Sequence, residues 1–130
     1  MNLKKGELSY RFSFLNQDSL YNGFENQLAS ILKGKSWMVS TDTKWLLSNG
    51  LDQNTDFLRP KISVLKSFRT LKNWQVGVNG FNEINRIKDA KTDTLLNESF
   101  WWQDYTAFIS SPDSVRNQLK FKYNLRFEHL

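Results

Sequence analysis

The single histidine is His129, the second-last residue, and the chain has no cysteine. A lone terminal imidazole leaves no partner for a Ser–His nucleophile, and neither a His-rich nor a thiolate metal cage can be assembled from this sequence. Asp42 and Asp104 remain as candidates for acid–base work or Ca²⁺ binding, since paired carboxylates do both. The simpler expectation is that they are wetted charges lying opposite Lys44 or Arg116. The glycines of "GVNG" at 77–80 have strand-like residues on both sides, so they mark a bulge or a close backbone approach rather than a phosphate loop. These residues point away from an enzyme and call for no cofactor or metal.

The basic side chains are the other chemical resource. Arg59, Lys61, Lys120, Lys122 and Arg126 alternate with apolar residues, among them Phe121 and Tyr123. Stacking on nucleic acid bases needs aromatics and cations on one face. Strict alternation sends them to opposite faces, which argues against a nucleic-acid partner. The net charge of +5 admits an anionic partner without requiring one.

What positions these residues is best read from "VRNQLKFKYNLRF", 115–127. Val115, Leu119, Phe121, Tyr123, Leu125 and Phe127 fall on odd positions, and Arg116, Gln118, Lys120, Lys122, Asn124 and Arg126 on even ones. Side chains of an extended chain alternate between faces, so this is a strand with one apolar and one basic face. It is long, about 43 Å at ~3.3 Å per residue. Similar segments occur at 7–15, 23–32, 36–48, 57–68, 74–85 and 99–110. The sixth, "SFWWQDYTAFIS", is apolar on both sides in places and does not declare its orientation. The second competes with a helix over 18–34, where Leu20, Phe24, Leu28, Ile31 and Leu32 recur at helical spacing between a possible cap at Asp18 or Ser19 and Gly34.

The connections decide for a mainly extended 18–34. Longer links, "NQDSLYN", "NGLDQNTD" and "NRIKDAKTDTLLNE", alternate with shorter ones, "KGK", "RTLKN" and "SPDS". Transmembrane barrels show such an alternation, with short turns at one end and long loops at the other. The expected fold is therefore all-β, an antiparallel up-and-down meander of about seven long strands forming part of a β-barrel. "SPDS" at 111–114 is expected to be a tight hairpin turn, because Pro112 presets φ and Asp113 or Ser114 can bond nearby backbone. Length suits one domain over 1–130. Aromatics at 15% with few Gly and Pro fit half-polar strands.

The dyad repeats "ELSYRFSF", "PKISVLKSF" and "QLKFKYNLRFEHL", with Trp and Tyr near strand ends and Asn/Asp/Lys-rich loops, resemble those of Bacteroidota outer-membrane β-barrel proteins. The resemblance covers most of the chain and is one of style, without a subfamily motif. It implies a non-enzymatic structural or transport segment in the outer membrane of a Gram-negative cell. Its partners would be the lipid bilayer and the remaining strands of a parent barrel. "MNLKKGELSY" carries no signal-peptide apolar stretch, seven strands is odd where single-chain bacterial barrels are even, and "RFEHL" lacks a final aromatic. All three suit a fragment of a longer chain.

Two expectations about sites follow. Arg59, Lys61, Lys120, Lys122 and Arg126 would face a polar lumen, where charge tunes solute selectivity. Trp37, Trp45, Trp74, Trp101 and Trp102, placed near strand ends, would form interfacial aromatic girdles. A rival class is a soluble, lipocalin-like barrel that binds a small ligand in its mouth, with the apolar faces turned inward.

Overall fold

The computed structural model describes residues 3–17, 21–71, 74–110 and 118–127. They form seven strands: β1 (Leu3–Gln17), β2 (Tyr21–Gly34), β3 (Trp37–Gly50), β4 (Gln53–Phe68), β5 (Trp74–Asp89), β6 (Phe100–Ser110) and β7 (Gln118–Phe127). All belong to one sheet in the order β1-β2-β3-β4-β5-β6-β7, and every neighbouring pair is antiparallel. The meander is the one the sequence predicts. Its two outer strands, β1 and β7, are not paired with each other, so the sheet is open.

The contested segment is extended where it is described, over Tyr21–Gly34, as β2. Its helical spacing is real but local, whereas a strand there pairs along its whole length with β1 on one side and β3 on the other. Two ladders outweigh one marginal helix, whose Gly23 alone would cost about 1 kcal/mol. The expected alternation of long and short links is not what the structure shows, however. β1 and β2 are separated only by residues 18–20, and β3 and β4 only by Leu51 and Asp52. The polar stretches expected as long loops continue the ladders, through pairs such as Asn16↔Asn22 and Asn49↔Asn54. Turn-prone residues stay extended where the facing strand offers hydrogen bonds. Among the connections that are described throughout, the β5–β6 link, 90–99, is the long one. "SPDS" lies outside the described residues.

That long connection is built from its own polar groups. The Asp89 carboxylate accepts from the Lys91 N–H, the Thr92 N–H and the Thr92 hydroxyl at 2.9, 2.8 and 3.0 Å. The Thr92 and Lys91 N–H groups hold the Asp89 carboxyl below its ordinary pKa. Asp93 takes the left-handed conformation, φ 55°. Ser99, 1% exposed, returns the chain by accepting from the Ile87 N–H at 2.9 Å and bonding the Ile87 carbonyl at 3.1 Å.

Register fixes the two faces. One carries Leu8, Tyr10, Phe12 and Phe14 of β1 and continues through Leu28, Trp45, Ile62, Val78 and Tyr105 to Tyr123. The other carries Glu25, Gln27, Asp42, Lys44, Arg59, Lys61, Asn79 and Asp104. No large apolar side chain among the described residues is buried, and Leu8, Ile62 and Val78 are 74%, 50% and 48% exposed. Burial runs opposite to a water-soluble core. Along β6, Tyr105, Ala107 and Ile109 are exposed, while Thr106, Phe108 and Ser110 are partly covered.

Candidate polar concavity

The polar face lines a concavity of about 930 Å³ in which residues of β2 to β6 converge. Alternation puts these side chains there. Asp42, Arg59, Lys61, Glu83 and Asp104 come from four different strands, yet register brings them to one side of the sheet. Arg59 and Lys61 both line this concavity. Lys120, Lys122 and Arg126 stand in register with Phe108, Thr106 and Trp102 of β6, and their side chains are outside the described residues.

Among the described residues the charges of the concavity are mixed. Two cations, Arg59 and Lys61, share the concavity with three carboxylates, Asp42, Glu83 and Asp104. Arg59 contacts Glu83 at 3.4 Å, and Lys44 contacts Glu25 at 2.8 Å. The expected pairing of Asp42 with Lys44 does not form. Asp42 accepts instead from the Gln27 amide at 2.9 Å and stands in register with Lys61. Diagonal neighbours across a pleated sheet are farther apart than direct ones but within reach of long side chains, so facing position alone did not choose the partner. Arg116 lies outside the described residues. Among the described residues no group of three His, Asp or Glu side chains converges as a metal site would need.

Aromatic residues also reach this face. Phe81, Phe100 and Trp102 surround a smaller recess beside Glu83, and the Arg59 guanidinium lies 5.6 Å from the centroid of the Phe57 ring. Here a cation and an aromatic share a face, contrary to the expectation of strict separation. Phe108 covers Gly77 and Tyr105 flanks Gly80, so a Cβ at either glycine would collide with a ring. The "GVNG" glycines therefore mark close approach of neighbouring aromatics, and β5 keeps register there with both neighbours. The sequence missed the aromatic recess because "SFWWQD" is apolar on both sides. The register of β6 against β5 was the missing information.

The tryptophans divide. Trp37 and Trp74 open β3 and β5, and Trp101 stands near the start of β6, as predicted. Trp45 is well inside β3, where it faces Phe24 edge-on and donates to Asp56 at 3.2 Å. Trp102 follows Trp101 directly and so falls on the polar face, in the recess beside Glu83. Neighbouring residues of a strand cannot both point outward.

No family model matches this chain, and neither does any curated protein or solved structure.

Proposed function

We propose that the chain is a non-enzymatic wall segment of an outer-membrane β-barrel, with its apolar face toward lipid and its polar concavity lining a wet interior. The observation that carries this reading is the inverted sidedness of the sheet. Leu8, Phe12, Ile62 and Val78 are exposed on one face, while the ion-paired Arg59 and Glu83 lie in the concavity of the other. In water such a face would leave a large apolar area unsatisfied. In a bilayer it is the expected outer surface, and strands of 14 to 16 residues in β1 to β5 exceed the ~9–11 that a tilted crossing needs. A lipocalin-like barrel would turn its apolar residues into the concavity, and the charged lining favours the membrane reading over it. The mixed charges, with the Phe81–Trp102 recess, suit passage or docking of polar solutes.

Cysteine labelling tests the reading directly, because the chain has no cysteine of its own. Val78→Cys and Asn79→Cys are adjacent residues on opposite faces. In membranes, Val78→Cys should react only with a lipid-soluble thiol reagent and Asn79→Cys with a water-soluble one. Equal reaction of both with the water-soluble reagent would overturn the proposal.

A further inference from the structure

We propose that the apolar face carries an interface for a second copy of this chain, centred on Asn82. Register sets Thr43, Pro60, Asn82 and Gln103 in one row across β3, β4, β5 and β6. Thr43 pairs with Pro60 and Asn82 with Gln103, while Pro60 and Asn82 meet between Leu58↔Ile84 and Lys61↔Phe81. Parity along each strand puts all four on the side of Trp45, Leu58 and Val78. Next to the row stand Trp45, Leu58, Ile84 and Trp101, and two rows away on its other side Val39, Val64, Val78 and Ala107. A polar stripe thus crosses the middle of the apolar face.

Lipid is a poor neighbour for that stripe. Hydrocarbon offers no hydrogen bonds to amides and hydroxyls, so they are better placed against another protein surface. Transmembrane helices associate in this way, through polar side chains and small residues, because lipid supplies no hydrophobic drive. Pro60 sharpens the need. It has no N–H, and the β4–β5 ladder is interrupted where it meets Asn82. The Asn82 carbonyl therefore lacks its ladder donor, which in a bilayer no water replaces. The Asn82 side-chain oxygen accepts from the Tyr105 hydroxyl at 3.4 Å, on the β6 side. Its side-chain N–H₂ is a donor that can be given across an interface.

A second copy is the partner this chemistry fits. Thr43, Asn82 and Gln103 each both donate and accept, so an identical stripe satisfies them. The row carries no charge, and no oppositely charged partner is called for. A two-fold axis along the bilayer normal sets Asn82 against Asn82 of the second copy and keeps both chains inserted in the same direction. Each Asn82 amide then donates toward the carbonyl left open beside the other copy's Pro60.

The proposal rests on the reading of this face as lipid-facing, and its test is separate from that reading. Sedimentation equilibrium in detergent micelles should show a dimer of the unsubstituted chain. The triple variant Thr43→Val, Asn82→Leu, Gln103→Leu should be a monomer with the same strand content by circular dichroism. Ile84 adjoins the stripe, whereas Leu32 of β2 is exposed on the same face away from it. Copies carrying Ile84→Cys should therefore be joined in pairs by a short bis-maleimide, and copies carrying Leu32→Cys should not. A monomeric unsubstituted chain overturns the proposal. So does a dimer that survives the three substitutions or is joined equally well through Leu32→Cys. If the triple variant loses strand content, the Ile84 and Leu32 comparison decides alone. In native membranes, cross-linking of Ile84→Cys only to a protein of another sequence would overturn it in favour of a different partner. Failure of the Val78 and Asn79 labelling, with the Ile84 cross-link intact, would count against lipid contact alone.

Discussion

Val78 and Asn79 concentrate the chemistry of the whole sheet into two neighbouring positions. Val78 lies between Val64 and Ala107 on the exposed face, and the Asn79 amide oxygen accepts from Ser63 at 2.6 Å on the other. If the exposed face meets lipid, as proposed, an arginine at position 78 would put a guanidinium into hydrocarbon, costing about 2–4 kcal/mol near the bilayer midplane. The same residue at 79 would join Lys61 and Asp104 in the concavity and lose only one surface hydrogen bond. Val78→Arg is therefore expected to abolish protease-protected insertion into lipid vesicles, while Asn79→Arg inserts at close to the original yield. Equal insertion of the two variants would count against an apolar surround for Val78. Residue identity alone could nominate this pair, since alternation across "WQVGVNGF" separates them. It could not find the partners of the charged residues, because Asp42 chose Gln27 and Lys44 chose Glu25 by diagonal reach.

β4 is the element in which a local rule is broken. Proline is normally confined to edges or bulges because it cannot donate to a ladder, yet Pro60 lies in the middle of a central strand. The β4–β5 register runs through Leu58↔Ile84 and resumes at Lys61↔Phe81, and the two pairs between them are missing. Both depend on a hydrogen bond from the residue-60 N–H toward Asn82, and proline has none. The register continues without a shift, so the cost is confined to one bond. Pro60→Val should restore it, raising stability by about 0.5–1.5 kcal/mol, read as a higher denaturant midpoint and slower amide exchange around Asn82. An unchanged midpoint would mean the interruption has another cause. The sequence placed a strand at 57–68 without detecting this gap, and it took the start four residues late, since β4 begins at Gln53. Asn and Asp read locally as turn formers, but cross-strand bonds hold them extended.

For the molecule as a whole, the decisive quantity is where the apolar area goes. Among the described residues the sheet buries no large apolar side chain, and Leu8, Tyr10, Phe12 and Phe14 alone place four such groups in a row at one edge. Isolated from membranes, the chain should remain monodisperse in detergent and precipitate or associate when detergent is removed. Sedimentation with and without micelles checks this. A compact, detergent-free monomer would show that the sheet closes the other way, apolar face inward, as a lipocalin-like barrel does.

The period-2 alternation in each segment determined the strands, and short spacing between segments determined that neighbours pair antiparallel in chain order, since such links cannot join parallel strands. Tertiary structure decided the rest. Hydrogen bonding across β1–β2–β3 settled 21–34 against its helical spacing, and register against β5 assigned the two-sided β6, sending Trp102 and Phe100 to the polar face. The direction in which the sheet curves decided which face is enclosed. An alternating strand is equally compatible with apolar-in and apolar-out, because pleating separates two faces without saying which one meets solvent. Only the summed twist and register of seven strands places Asp42, Arg59, Lys61 and Glu83 in one concavity and leaves Val64 and Val78 outside it.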